Sequence, residues 1–440
     1  MIASDVPVSM DLKRVLDLVQ GHARPRGLPA AAPGHLLYPA YQAHSDLMHP
    51  LRAWARASIP SLRDASDGTG ENEAMRKISA ACEVFALAQL THVRPSFGLD
   101  SVTIGERMVA VQEEVAHQTP FGTLLRFRKD MPDPGPRVLI VAPMSGHFAT
   151  LLRDTVRVML ADHDVYITDW RNARDVPLMA GRFGFDEYVE HVMDFLRAMG
   201  PGSHVMAICQ PCVAVLAAVA LMSEDADPAA PASMTLMAGP IDCRIAPTEV
   251  DRLAADKPIE WFEQHLIGTV PLRYPGALRR VYPGFMQLMA FMSMNLDRHV
   301  DSFRNLFHDL VNGEHEKASA TRTFYEEYFA VCDLPAEFYL ETVQHVFQDF
   351  ALAKGQLRWH DRAVDPAAIR RTALLTVEGE RDDICSLGQT LAAHDLCTGL
   401  RPYMRTHYVQ PGAGHYGVFS GRRWSGSIYP MVRETILVSQ

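Results

Sequence analysis

The sequence predicts an α/β protein in which a mostly parallel sheet carries helices on both faces. Strand-like runs at 138–144, 164–170, 203–209, 232–239, 373–379 and 405–410 alternate with segments of helix length. Because parallel neighbours need a crossover connection, this alternation indicates parallel strands. Ahead of these runs, Val109–His117 and Thr123–Arg128 flank a turn at 119–122, which predicts an antiparallel β-hairpin leading into the sheet.

The residues before the hairpin are predicted to form a separate segment. A Pro-, Ala- and Gly-rich stretch ends residues 1–34, which we expect to be a poorly ordered extension. Residues 35–107 have a helical apolar pattern and are predicted as an N-terminal helical segment. The sheet core is then predicted over 108–242 and 371–440.

The gap between the fourth and fifth parallel runs, residues 243–370, predicts a helical insertion. It is helical in pattern, rich in Met and aromatic residues, and too long for a loop in a compact domain. We interpret it as a lid over the carboxyl edge of the sheet. Its Met-rich stripe is more simply lid core than substrate-facing surface, because Met fills irregular gaps in either setting.

Length, charge and cysteine content exclude several classes of function. The 440 residues suffice for a large core with insertions, and a net charge of −10 offers no basic surface for nucleic acid or anionic lipid. No apolar run reaches the ~18 residues expected of a membrane span, and the first residues lack a secretory pattern. Seven scattered cysteines favour a reducing compartment, so a cytoplasmic protein is predicted.

Cys209 lies where the predicted strand 203–209 meets an apolar helix that begins at Gln210. A sharp strand-to-helix turn at a nucleophile is the elbow geometry of hydrolases, and the nearby helix N-terminus would favour a thiolate. Taken alone, the same signal fits a buried structural cysteine equally well. Cys209 and Cys212 also form a C-x-x-C unit, which is typical of thiol-disulfide oxidoreductases.

Two later turns favour the catalytic interpretation. The fifth parallel run ends in a Gly-x-x-Asp turn that carries Asp382, and the sixth ends in a glycine-rich turn that carries His415. Nucleophile, acid and histidine thus follow in the chain order of the α/β-hydrolase fold, each at the carboxyl end of a predicted strand. We predict a triad of Cys209, Asp382 and His415, in which Asp382 rather than Asp383 pairs with the imidazole.

The same fold predicts an oxyanion hole made of backbone N–H groups. One donor is Gln210, the residue after the nucleophile, and the other is Met144 or Ser145 in the loop after the first parallel run. His147 in that loop is either structural or lines the site, and the sequence leaves both open. Zinc-protease, EF-hand and Walker A motifs do not occur in the sequence, and no metal or cofactor is predicted.

From about Leu36 to Gln440, the chain resembles the intracellular poly(3-hydroxybutyrate) depolymerases. The resemblance is carried by several stretches, among them Phe97–Leu99, Thr168–Pro177, Ile208–Pro211, Lys257–Phe262, Tyr282–Phe285, Phe291–His299, Val377–Glu380 and Gly414–Phe419. That family is similar in fold to the α/β-hydrolases and the polyester synthases. The elbow of this chain departs from the general G-x-S-x-G form, with Ala207 and Pro211 in place of the glycines.

The resemblance implies a Cys-Asp-His triad on the same three residues, and ester hydrolysis of poly(3-hydroxybutyrate) at cytoplasmic storage granules. A thioester intermediate would release 3-hydroxybutyrate units or oligomers. Three alternatives stay open: a thiol-disulfide oxidoreductase, a polyester synthase-like acyltransferase, and a granule-binding protein with an inactive hydrolase fold. The sequence also leaves open the monomer preference, acyl transfer to a thiol acceptor, and whether the protein is a homo-oligomer.

Overall fold

The computed structural model describes residues 34–67, 73–294 and 296–440. The predicted extension 1–34 lies outside the described residues apart from Gly34. The strands are β1 Ser101–Ile104, β2 Arg107–Gln118, β3 Gly122–Lys129, β4 Arg137–Val141, β5 Asp164–Trp170, β6 His204–Ile208, β7 Ser233–Met237, β8 Gly268–Thr269, β9 Arg280–Tyr282, β10 Leu334–Pro335, β11 Arg358–Trp359, β12 Arg362–Ala363, β13 Ala373–Gly379 and β14 Arg405–Gln410.

The α-helices differ widely in length and in amphipathic character. They are α1 Gly34–Asp67, α2 Glu73–Leu87, α3 Arg153–Met159, α4 Phe185–Met199, α5 Cys212–Glu224, α6 Glu249–Asp256, α7 Ile259–Leu266, α8 Gly284–Met294, α9 Leu296–Asn312, α10 His315–Tyr328, α11 Ala336–Thr342, α12 Ala393–Leu396, α13 Gly421–Arg423 and α14 Tyr429–Val438. Within the described ranges, no helix combines the length and apolar character needed to cross a membrane.

The described residues divide into two compact units. A helical unit contains 34–93, 264–268 and 283–331, and a sheet unit contains 94–263, 269–282 and 332–440. The predicted insertion is therefore shared, since 264–268 and 283–331 group with the N-terminal helices and the other residues of 243–370 group with the sheet. That the insertion covers Cys209 stays a prediction.

A nine-stranded sheet forms the centre of the sheet unit, in the order β1-β2-β3-β5-β4-β6-β7-β13-β14. Strands β1 to β3 are antiparallel, β3 also pairs antiparallel with β5, and the pairs from β5 to β14 are parallel. The predicted α/β-hydrolase fold, with its leading hairpin and mostly parallel sheet, is confirmed. The prediction of a helical segment over 35–107 is wrong at its end, where strand β1 lies. Residues Ser101–Ile104 alternate in burial and pair with β2 instead of continuing a helix.

Burial explains why the central strands are so apolar. Every residue of β6 and β7 is buried, as expected for strands covered by helices on both faces. Helix α5 is buried from Cys212 to Met222 and shows no polar face, so it belongs to the interior of the sheet unit. The elbow between β6 and α5 is thus fixed by packing on both sides.

The helical unit has its own apolar interior. Helices α1 and α2 pack on each other, and α2 also packs on α9. The ring of Tyr41 stacks on Phe285 with centroids 4.2 Å apart. The Thr91 N–H donates a hydrogen bond to the Phe329 carbonyl at 2.8 Å, and the Val331 N–H donates to the Thr91 carbonyl at 2.8 Å. Residues far apart in the chain therefore complete one unit.

Candidate active site

Cys209 occupies a strained turn between β6 and α5. Its φ angle is +67°, a left-handed conformation that non-glycine residues rarely adopt. The turn is held by the Cys209 N–H, which donates to the Met237 carbonyl at 2.8 Å, and by the Cys212 N–H, which donates to the Cys209 carbonyl at 3.2 Å. The Cys209 side chain is half-buried. This is the geometry expected of a nucleophile elbow.

Gly239, just after β7, makes room for this turn. A Cβ at this position would collide with the Cβ and Sγ of Cys212 and would lie 3.1 Å from the Cys209 carbonyl oxygen. The Thr390 hydroxyl also bridges the Gly239 backbone, accepting from its N–H at 2.8 Å and donating to its carbonyl at 3.0 Å. The elbow and the loop after β13 are thereby tied to the same residue.

Asp382 and His415 lie together at the carboxyl ends of β13 and β14. The His415 Nδ1 and the Asp382 Oδ2 are 2.8 Å apart, and both side chains are buried. The Asp382 Oδ1 accepts the N–H groups of Ile384 and Cys385, each at 2.9 Å. The neighbouring Asp383 is exposed. The carboxylate is thus fixed by three hydrogen bonds, with one oxygen directed to the imidazole.

The electrostatics of this cluster favour a charged imidazole. Burial by itself would lower the pKa of His415, but the charges of Cys209 and Asp382, and hydrogen bonds to both, raise that pKa well above the ordinary 6.5. Because Asp382 engages Nδ1, Nε2 is the imidazole nitrogen left for Cys209. The three predicted triad residues therefore come together in an arrangement suited to a thiolate–imidazolium pair.

The two residues predicted to form the oxyanion hole also meet. The Met144 N–H donates to the Gln210 side-chain oxygen, Oε1, over 3.4 Å. In the part of the chain that the structure describes, no group accepts from the Gln210 N–H. Ser145 is half-buried next to Met144, and His147 is buried in the same loop. Met144 is thus better placed than Ser145 as the second donor, and the role of His147 stays open.

Two points of the insertion 243–370 are hydrogen-bonded to loops of this site. Near its start, the Gln389 side chain donates to the Ile245 carbonyl at 3.1 Å and to Asp251 at 2.8 Å. Further along, the Cys332 N–H donates to the Gly146 carbonyl at 2.8 Å. The first contact holds the loop that follows Asp382, and the second holds the oxyanion loop.

The sequence predicted no role for Glu378, whose carboxylate orders the loop that follows Asp382. The Glu378 carboxylate is buried in β13 and accepts the N–H groups of Gly388, Thr390 and Leu391 at 2.8 to 3.0 Å. A buried carboxylate needs such donors, because its desolvation is otherwise unfavourable. A Glu inside an apolar strand, next to a predicted acid turn, is the signal that could have drawn attention to it.

Cys212 is a packed thiol. It is fully buried, its Sγ contacts the carbonyl oxygens of Ala207 at 3.4 Å and Met237 at 3.7 Å, and burial raises its pKa. A thiol–disulfide exchange site needs an accessible, readily ionised thiol. The geometry of Cys212 therefore lends no support to the oxidoreductase alternative.

A separate polar cavity of about 520 Å³ lies among charged side chains that include Arg182, Asp186, Glu341 and Lys354. None of the three triad residues lines it. The three predicted triad residues lie instead at the elbow after β6 and at the carboxyl ends of β13 and β14.

The sheet order, the strained elbow and the His–Asp pair at two strand ends define an α/β-hydrolase. Residues 238–439 match the family described as PHB de-polymerase C-terminus. Over that part of the chain, the match confirms the resemblance to the poly(3-hydroxybutyrate) depolymerases and supports ester hydrolysis as the general activity.

Several solved structures are similar in fold. They include a putative lipase from Acinetobacter baumannii AYE (13% identity, 75% of this chain and 93% of that chain covered, TM-score 0.42) and a monoacylglycerol lipase from Paleococcus ferrophilus (12%, 70% and 96%, 0.40). A thermophilic esterase from Thermogutta terrifontis gives 14% identity, 76% and 98% coverage, and a TM-score of 0.38. This likeness concerns the fold alone. No curated protein matches the chain.

Proposed function

We propose that this protein hydrolyses the ester bonds of stored poly(3-hydroxybutyrate), with Cys209 as nucleophile, His415 as proton shuttle and Asp382 as the orienting acid. The observation that carries the proposal is the hydrogen-bonded pair of the Asp382 carboxylate and the His415 imidazole, together with a cysteine at a strained strand-to-helix elbow. The choice of poly(3-hydroxybutyrate) as the substrate is supported by the family match over residues 238–439.

In the first half-reaction, the Cys209 thiolate attacks the ester carbonyl carbon and the carbonyl electrons move to its oxygen. The Gln210 and Met144 N–H groups stabilise the oxyanion. As the tetrahedral species collapses, the C–O bond breaks and the His415 imidazolium gives its proton to the departing hydroxyl end of the polymer. Cys209 is left as a thioester of the remaining chain.

In the second half-reaction, neutral His415 takes a proton from water as the water attacks the thioester carbonyl. The C–S bond then breaks, the acid product leaves, and the thiolate–imidazolium pair is restored. Throughout, Asp382 holds the imidazole in one orientation and stabilises its charged form.

Access of the polymer to the thiol is the second part of the proposal. We infer that the insertion 243–370 forms a lid that opens for a polymer chain end, since hydrolases commonly exclude bulk water by such closure. Its support is a pair of hydrogen bonds, at Ile245 and Cys332, which link it to the loop after Asp382 and to the loop that contains Met144. We propose cytoplasmic storage granules as the location of this activity, and the family resemblance supports this.

The test is incubation of the purified protein with native polyester granules, followed by identification of the released compounds. We expect 3-hydroxybutyrate or its oligomers, and no release by Cys209→Ala. The matched control is Cys82→Ala, because Cys82 is also a half-buried free cysteine but lies on α2. Product that forms only as a thioester, when a thiol acceptor is added, would favour the acyltransferase alternative. Undiminished release by Cys209→Ala would end the proposal.

A further inference from the structure

The side chain of Gln210 engages one of the two candidate oxyanion donors. Its Oε1 accepts the Met144 N–H over 3.4 Å, while its own backbone N–H is the other candidate donor. Gln210 is therefore involved in the candidate oxyanion hole through its backbone N–H and through its side-chain amide. Only the main-chain role follows from its position after the nucleophile.

The orientation of the amide is fixed by chemistry. A backbone N–H can only donate, so the Gln210 oxygen must face Met144 and the nitrogen, Nε2, must point elsewhere. Nε2 is buried, and no described residue accepts its hydrogens. A buried donor without an acceptor is unfavourable, and native proteins keep few of them. An acceptor supplied by a ligand would remove this penalty.

We propose that the Gln210 amide is a third donor of the oxyanion hole, an inference that rests on the proposed function. In the free protein, Oε1 occupies the Met144 N–H in place of the substrate oxygen. When the acyl oxygen arrives it takes over the Met144 N–H, and rotation of the amide directs Nε2–H to the same oxygen. The rotation exchanges Oε1 and Nε2 without moving the backbone.

The proposal predicts where the effect on catalysis falls. A donor that engages the oxygen as negative charge develops stabilises the transition state more than the bound ester, so its loss lowers kcat and leaves KM nearly unchanged. Removal of one oxyanion-hole donor in other hydrolases costs about 10²–10³-fold in kcat.

The experiment compares wild type with Gln210→Met, which keeps the side-chain length and removes both polar atoms. The first probe is a butyl trifluoromethyl ketone, to which the Cys209 thiolate adds at the carbonyl carbon, leaving an oxyanion with no group expelled. The second is iodoacetamide, whose alkylation of Cys209 breaks the C–I bond, releases iodide and forms no oxyanion. We expect about 10²–10³-fold weaker ketone binding and an alkylation rate within about threefold of wild type.

Two further variants separate this role from a structural one. Gln210→Glu keeps an acceptor for the Met144 N–H but has no donor, so it should lose ketone affinity as Gln210→Met does. Gln348→Met removes another glutamine, whose Nε2 donates to the carbonyls of Ala254 at 2.9 Å and Lys257 at 2.8 Å. It should lower the Tm and leave ketone affinity unchanged.

Three outcomes would overturn the inference. Ketone affinity in Gln210→Met within about threefold of wild type would show that the amide does not meet the oxyanion. Retained affinity in Gln210→Glu would show that only the acceptor matters. A matched fall in alkylation rate and ketone affinity would indicate a distorted elbow. A wild-type protein that forms no Cys209 adduct would instead overturn the proposed function, and this inference with it.

Discussion

The carboxylate of Asp382 and the imidazole of His415 lie 2.8 Å apart, although 33 positions separate the two residues in the chain. Strands β13 and β14 are parallel neighbours whose register pairs Gly379 with Gln410, so both following loops leave the sheet at the same edge. Strand register therefore brings the side chains of Asp382 and His415 together. The side chain of Asp383 is exposed and takes no part in this pair.

Asp382→Asn is expected to lower kcat on a short soluble ester by about 10³–10⁴-fold, because the imidazole loses its charge partner and its fixed orientation. Asp383→Asn is the matched control and should retain near wild-type activity, since that side chain is exposed. The measurement is steady-state kinetics of both variants. A severe loss in Asp383→Asn with a mild one in Asp382→Asn would move the acid by one residue.

Cys209→Ala should lose about 10⁴–10⁶-fold in turnover, the typical result of removing a triad nucleophile. Cys212→Ser should keep most activity, because Cys212 packs in the first turn of α5 and does no chemistry in the proposed mechanism. Mass spectrometry of the protein during turnover would locate the acyl group on Cys209. Two essential cysteines that cycle between dithiol and disulfide would instead support the oxidoreductase.

The raised pKa of His415 predicts the pH dependence of acylation. The imidazolium should persist above pH 6.5, where a free histidine is largely neutral, so kcat/KM should not decline near that pH. Asp382→Asn removes one of the two charges that raise the pKa of His415. The alkaline decline of kcat/KM in this variant should therefore move to lower pH. A wild-type profile that already declines with a midpoint near pH 6.5 would contradict this assignment.

The same shift has a consequence for stability. The folded-state pKa of His415 lies above the unfolded value, so this group contributes stability that is fully present below about pH 6.5 and is lost as pH rises through the folded value. The free energy of unfolding, measured by urea titration at several pH values, should show a smaller loss in this alkaline range for His415→Gln than for wild type.

Gly239→Ala should destabilise the protein, by about 1–3 kcal/mol, because the added methyl group collides with the Cys212 side chain behind the elbow. The kcat should fall with it, since a displaced α5 moves Cys209. Gly426→Ala is the control, as a Cβ there meets nothing within 4 Å. Thermal unfolding and ester kinetics on both variants test this. Equal Tm values would show that the elbow tolerates the methyl group.

The strands that carry the site could be predicted closely from sequence. For β13 and β14, the predicted 373–379 and 405–410 coincide with the observed bounds. Strand β13 is a short, largely buried run that ends in a turn, which is the pattern of a buried parallel strand, whereas β14 is mostly half-buried. The division of 243–370 between two units could not be predicted. A helical apolar pattern shows that a face is buried but does not identify the partner that covers it.

The side-chain hydrogen bonds that support the site also could not be predicted from the sequence. Thr390 and Gly239 are 151 positions apart, and nothing in either local sequence links a hydroxyl on one loop to the backbone of the other. The Gln210 amide contact with Met144 spans 66 positions. Backbone donors could be assigned by their place after a strand, whereas side-chain contacts depend on the finished packing.

The composition of the helical unit has a consequence for how the chain is made. Helix α2 ends at Leu87 and α8 begins at Gly284, so α1 and α2 emerge from the ribosome about 200 residues before α8 to α10, with which they share an interior. At about 5–20 residues per second, this delay is on the order of 10–40 s. During that time the nascent chain presents surfaces such as the ring of Tyr41 without its stacking partner Phe285. Ribosome-associated chaperones are therefore expected to hold the first helical pair until the later helices arrive.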